Sequence, residues 1–522
     1  MLYYPESMDF LDPKKERRNR VALRVGYALV GFAIAIASTV LLYQTDGYCV
    51  SGKGAVDRCG LLFVSTHPTG ADMYVDGKKQ KAQTNTKLNL RSGTYDIRLT
   101  KTGYHDWQRS VTIAGGDVQR MDYPLLVPQN LTTSSVATLS ETVNLMTQSP
   151  DRRWLLAIEG SPSEQYHLYD LRPTTKPIGT VLTVPAGVVT ASEGVGTWKT
   201  VEWSNDNRHV LLQHEYKPVA PPAASSTSAS DTQATTEQEY ILFDRQTPAE
   251  TKNLTRDLAL SAQEEISLYN KKPTQFYAYN TESKTLRTLG LSTGAPTQNQ
   301  LTHVLAYKTY GNGTVLYVTD TPPSGKTTDG KVHVVLLQEN QTRVLRQLPA
   351  DPAGYLLDIA RYDGEWYVYL GASSQRGVYI YKNPLEQALM KSTDFPVPMR
   401  FLKLASPQYA AFSSTAQYVL VENGQQSMVY DIEHDQSYGY ATAMGLDEPQ
   451  THVSWMDGNR LAYVSGGKVY VVDYDNRNGR TLVETDAQWG GFFTPDYERL
   501  ITLSSLSGEG SRLSTTSLVV VP

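Results

Sequence analysis

Eight tight turns, each flanked by short apolar runs, recur along the chain after Pro128. They are Ser149-Pro150-Asp151, Ser204-Asn205-Asp206, Asn270-Lys271-Lys272, Gly311-Asn312-Gly313, Tyr362-Asp363-Gly364, Ser413-Ser414-Thr415, Met456-Asp457-Gly458 and Thr494-Pro495-Asp496, spaced about 49 residues apart on average. Further runs ending in an aromatic residue, an aliphatic one or Asp follow most of them: Tyr166–Asp170, Tyr240–Asp244, Val332–Leu337, Val378–Tyr381, Met428–Asp431 and Val469–Asp473. Asp, Asn and Ser favour such turns because their side chains bond the backbone two residues on, and Gly because it tolerates positive φ. A unit of this length is one small antiparallel sheet. Alone it cannot bury both faces, so units must stack, and a radial stack must close on itself. Eight units is the first expectation, seven the second.

The turns that precede Trp154-Leu155-Leu156 and Val210-Leu211-Leu212, with their counterparts in the seventh and eighth units, resemble the blades of TolB-like and WD40-like β-propellers. The resemblance implies a seven- or eight-bladed propeller over residues 128–522. Closure is expected to bring Val519–Val521 to the first blade. The segment 217–238, KPVAPPAASSTSASDTQATTEQ, has no hydrophobic period and too little apolar surface to fold, so it is expected to be a disordered insertion within the second blade.

The N-terminal part obeys other rules. Val25 to Thr45 is a run of 21 residues without a charge. As a helix at 1.5 Å per residue it spans about 31 Å, against about 30 Å of hydrocarbon in a bilayer. Lys14, Lys15, Arg17, Arg18, Arg20 and Arg24 lie before or just inside it, whereas 44–60 holds only Lys53 and Arg58. The positive-inside rule then predicts a cytoplasmic tail (1–20), a transmembrane helix (21–44) and an extracytoplasmic stem (45–60), with the bulk of the chain outside the cytoplasmic membrane. A cleaved signal peptide, with Ala35-Ile36-Ala37 at its cleavage site, is the alternative. The long polar leader and the apolar run through Val40-Leu41-Leu42 argue for the uncleaved anchor. Cys49 and Cys59 are the two cysteines of the chain. Outside the membrane they are expected to form a disulfide beside it, two free thiols being the alternative.

Between stem and repeats, residues 61–127 alternate short apolar runs with turn signals. Pro68-Thr69-Gly70-Ala71 is followed by Met73-Tyr74-Val75, an Asp76-Gly77 hairpin turn, a Gly93-x-Tyr95 strand and the turn Lys101-Thr102-Gly103-Tyr104. These motifs resemble a PEGA domain, with Thr69 in place of the family's Glu. The resemblance implies a small β-sandwich of prokaryotic envelope proteins, without a catalytic residue to carry over. Tyr104 and Trp107 are the possible ligand platform on it, for a sugar; their other reading is as caps of the sandwich core.

Composition limits the chemistry. Lys and Arg total 48 and Asp and Glu 53, for a net charge of −5. Nucleic acid is therefore not expected as a partner. Two cysteines exclude a disulfide-dense scaffold, a four-cysteine zinc site and a cysteine-held iron–sulfur cluster. The sequence holds no nucleophile elbow, phosphate loop, HExxH or CxxC. No catalytic, metal or cofactor-binding residue is therefore assigned, and no cofactor is expected. The turn aspartates Asp151, Asp206, Asp363, Asp457 and Asp496 are expected to serve their own turns. The resulting expectation is an all-β ectodomain after one transmembrane helix, binding or scaffolding an envelope protein or cell-wall polysaccharide without catalysis. The alternative is an envelope enzyme, a propeller glycosidase or peptidase-like hydrolase, whose site is assembled from several blades.

Overall fold

The computed structural model describes residues 13–45, 48–50, 56–139, 142–160, 165–173, 176–194, 196–219, 236–291, 300–311, 313–321, 330–338, 341–390, 395–441, 446, 452–506 and 510–520. Two compact units divide at Gln129/Asn130.

The first unit opens with a 33-residue helix, Pro13–Thr45. It starts before Val21 because the basic segment is rich in Lys, Arg and Glu, all strong helix formers, and Pro13 suits a first helical position. The stretch Arg17–Tyr43 is long and apolar enough to cross a membrane, as a signal sequence also would be. Its large apolar side chains, Leu23, Phe32, Ile34 and Leu41 among them, are exposed along its length. Cys49 and Cys59 are disulfide-bonded with Cα atoms 5.7 Å apart.

Strands from 48–50 and 56–121 form a sandwich of two four-stranded sheets. One pairs 48–50, 56–64 and 86–91 with Val118–Met121, which runs parallel to 56–64. The other pairs 78–79, 72–75, 93–100 and 107–113. Asp76 and Gly77 both have positive φ, 48° and 76°, as a two-residue hairpin turn requires. The inward residues Leu62, Val64, Met73, Ile97, Leu99 and Ile113 make one core with Trp107 and Tyr104.

The second unit is a ring of eight sheets, hereafter blades 1 to 8: 143–182, 197–253, 264–290, 304–349, 355–403, 409–441, 454–484, and 491–517. Each anticipated turn joins the first and second strands of a blade, with Asn312 of the fourth turn outside the described residues. Each anticipated later run is the third strand of its blade. Blade 3 has three strands, and a bridge between Leu286 and Leu301 stands where a fourth would pair.

Closure differs from the expectation. The last sheet is completed by Thr132–Leu139, which pairs with Ser511–Ser517. Val519 and Val520 lie beyond that strand, with Val520 45% exposed, and Val521 is outside the described residues. The closing strand is Thr- and Ser-rich at its start, and its far end, Val136, Ala137 and Leu139, packs into the core that blades 8 and 1 share. Of 217–238, only 217–219 and 236–238 fall within the described residues; Pro218 bridges to Ser192, and the third strand of blade 2 begins at Glu237.

Core clusters straddle neighbouring blades. Leu156 and Ile158 of blade 1 pack with Val210 and Phe243 of blade 2, and Leu316 and Val334 of blade 4 with Val368 and Leu370 of blade 5. Leu155 of blade 1 packs with Ile501 and Leu513 of blade 8, so the ring is continuous. The chain has 34 Tyr against 10 Phe, and the blade junctions give a reason. Tyr279 Oη of blade 3 donates to Val304 O of blade 4 at 2.7 Å, and Tyr369 Oη of blade 5 to Ala410 O of blade 6 at 2.6 Å. Trp203 and Trp455 likewise reach one blade back, to Thr147 Oγ1 and Ala411 O. Such rings bury area like Phe and also satisfy a buried acceptor on the neighbouring blade.

Candidate functional site

The first strand of every blade lines the axis. On it, Val201, Glu202, Ser267, Leu268, Tyr307, Lys308 and Asp358, from blades 2 to 5, enclose a cavity of about 800 Å³. Lys271, in the turn of blade 3, completes the wall.

The charges in this cavity are arranged unusually. Glu202 accepts a hydrogen bond from the Leu268 amide, and Asp358 Oδ1 accepts one from the Ile359 amide at 2.9 Å. Burial pushes both carboxyls above their ordinary range, and the nearby Lys271 and Lys308 only partly offset it. Burial, with Glu265 and Glu202 nearby, pushes the Tyr307 phenol up to about 12, against a hydrogen bond with Ser267. Among the described residues, both lysines act on these carboxyls only through space, without a side-chain hydrogen bond to either. Around the ring the order is carboxylate, ammonium, ammonium, carboxylate.

A second cavity of about 660 Å³ lies against blades 1, 7 and 8, lined by Thr147, Arg152, His452, Ser454, Trp455 and Phe493 among others. His452 Nδ1 lies 2.6 Å from Glu422 Oε1, and Glu422 is buried. The imidazole stacks on Tyr409 with centroids 4.3 Å apart. This pairing fixes the ring orientation, as buried carboxylates do for functional histidines.

Four of the five turn aspartates accept hydrogen bonds from their own turns. Ser149 Oγ donates to Asp151 at 2.5 Å, Thr494 Oγ1 to Asp496 at 2.6 Å, and the Asn459 and Arg460 amides to Asp457, both at 2.7 Å. Burial pushes the Asp206 carboxyl up, but Ser204, the Arg208 amide and His209 outweigh it and hold it at about 2. Asp363 is exposed and serves its turn through a φ of 47°. In blade 2, Glu239 takes bonds from His214 (3.0 Å), the Thr190 amide (2.9 Å) and hydroxyl (2.7 Å), and Asn253 (2.6 Å). His214 is fully buried and sandwiched by Trp198 and Tyr216. A Cβ on Gly196 would collide with its Nε2, so only glycine fits there.

The proposed aromatic platform is corrected by the fold. Trp107 is 2% and Tyr104 5% exposed, and both belong to the sandwich core. Trp107 meets Tyr123 edge-on at 5.9 Å. A small sandwich needs its largest rings to fill the space between sheets, and that demand wins. Sequence reasoning missed Glu202, Lys271, Lys308 and Asp358. The available signal was a lone charge within an apolar first strand, as in VLAYKTY, 304–310.

Residues 59–127 match the PEGA domain family. No curated protein matches the chain. Among solved structures, it is similar to the C-terminal WD40 domain of Sif2, with 10% identity over 74% of this chain and 99% of that one and a TM-score of 0.44. Hsv2p of Kluyveromyces lactis gives 9% identity, coverages of 73% and 99%, and a TM-score of 0.35. An oligogalacturonate lyase in complex with manganese gives 11%, 74% and 98%, and 0.34. The propeller assignment stands on the eight sheets and their closure.

Proposed function

We propose that the protein is a membrane-anchored binding protein of the cell envelope, with the propeller axis as its binding site. Residues 1–20 lie in the cytoplasm, 21–44 span the membrane, and the stem, the sandwich (61–127) and the propeller (128–522) stand outside. A PEGA domain followed along the chain by a propeller supports a surface or periplasmic protein, and the charge asymmetry around one apolar helix supports the orientation. The observation that carries the binding role is the blade 2–5 cavity, where four charged side chains face open space without pairing one another. Of these the Glu202 and Asp358 carboxyls are desolvated without an ionic partner, which is costly to a fold, and a ligand is a reason to keep them so. The partner is an envelope protein or cell-wall polymer.

A second reading is a hydrolase, favoured by Glu202 and Asp358, two carboxyls with raised affinity for protons in one cavity. Photo-crosslinking separates the possibilities. A photoreactive residue at Thr309, on the cavity wall, is expected to capture one envelope component in intact envelopes. The same residue at Val181, exposed on the outer strand of blade 1, is the control. Capture from Val181 alone would contradict the axial site, and turnover of glycoside or peptide libraries abolished by Asp358→Asn would replace binding by hydrolysis. For topology, a cysteine at Val181 is expected to react with an impermeant label in intact cells; labelling only after permeabilisation would reverse the orientation.

A further inference from the structure

We propose that the blade 2–5 cavity takes a zwitterionic ligand of peptide size, whose ammonium meets Glu202 or Asp358 and whose carboxylate meets Lys271 and Lys308. This rests on the binding reading above and names the class of ligand. Two carboxylates and two ammoniums make the wall neutral overall, yet the signs are segregated: negative on blades 2 and 5, positive on blades 3 and 4. A purely anionic ligand would bring its charge beside Glu202 or Asp358, and a purely cationic one beside the lysines. A neutral sugar would displace water from all four charges and return no ionic partner to any of them, which is unfavourable. A dipolar ligand satisfies both signs at once.

Geometry adds two constraints. Glu202 is fixed by the Leu268 amide and Asp358 by the Ile359 amide, so the carboxylates are positioned before any ligand arrives. The lysines are exposed and flexible, suited to an acid group whose distance from the amine varies. About 800 Å³ is more than a single amino acid needs and lies within the usual range for ligand sites. The side walls, Tyr307, Tyr310 and Ile359, are apolar enough to hold the body of a short peptide.

The test uses the full-length protein in lipid nanodiscs. A random tripeptide library is presented by equilibrium dialysis in three forms: free termini, N-acetylated and C-amidated, with bound peptide measured by mass spectrometry. Peptides with free termini are expected to be retained, and blocking either end is expected to lower retention at least tenfold. Asp358→Asn and, separately, Glu202→Gln are expected to narrow the discrimination against acetylated peptides, whereas Lys271→Ala/Lys308→Ala narrows that against amidated ones. Two independent carboxylate variants guard against one failing to fold, and each is checked by its melting midpoint. Equal retention of all three forms, or retention of none, overturns the proposal. The axial binding reading then stands or falls separately on capture from Thr309.

Discussion

Blade 2 holds two glutamates, half-buried Glu202 on its first strand and buried Glu239 on its third, that are opposite in condition. Glu239 lies in a closed knot with His214, Thr190 and Asn253, and those hydrogen bonds outweigh burial so that its carboxyl sits below the ordinary range. Glu202 faces the axis with one amide donor, and burial wins, so its carboxyl sits above it. The same residue type in the same sheet is thus structural where its acceptors are filled and available where they are not. Burial alone does not separate the two; the completeness of the hydrogen-bond shell does.

The largest break should come from the closed knot. Glu239→Ala leaves His214 and Asn253 buried without their shared acceptor, and denaturant unfolding is expected to show a loss of about 3–5 kcal/mol. A smaller loss follows at the turns: Asp206→Ala removes the acceptor for Ser204 and the Arg208 amide, at about 1–2 kcal/mol in the same assay. At the axis the sign changes. Glu202→Gln and Asp358→Asn are expected to leave stability within about 0.5 kcal/mol of wild type or to raise it, because each removes a half-buried charge that has no ionic partner. A loss there comparable to that of Glu239→Ala would put both regions in one class.

Titration sharpens the same contrast. Glu239 and Asp206 bind protons less tightly folded than unfolded, so their contribution is present above the ordinary carboxylate range and is lost as pH falls through their folded values, about 2 for Asp206. Glu202 and Asp358 bind protons more tightly when folded, so stability falls as pH rises from the ordinary range through their raised values. The double variant Glu202→Gln/Asp358→Asn is therefore expected to flatten the loss on the alkaline side of that window and leave the acid limb unchanged. Thermal melts from about pH 2 to about pH 7 read both limbs.

What could be read from sequence follows the same division between local and distant. The eight turns and the later strands Tyr166–Asp170 through Val469–Asp473 were legible because turn chemistry and apolar runs are local. The outer strands were not: Ile178–Leu182 and Gln436–Ala441 are mostly exposed and carry no strong alternation. The closing strand Thr132–Leu139 escaped for the same reason, and Val519–Val521 drew attention only by being apolar. The axial site joins Glu202, Lys271, Lys308 and Asp358 from four blades, a proximity that exists only once the ring has closed. Trp107 and Tyr104 failed in the opposite sense, since an aromatic pair reads alike as platform and as core.

The central claim is that the open charges at the axis serve binding and not folding. One preparation tests it: full-length wild type and the Glu202→Gln/Asp358→Asn variant, each with the photoreactive residue at Thr309, compared for melting midpoint and for capture in intact envelopes. The account predicts a variant that melts at or above the wild-type temperature and loses its capture. A variant that melts lower yet captures its partner undiminished would contradict it.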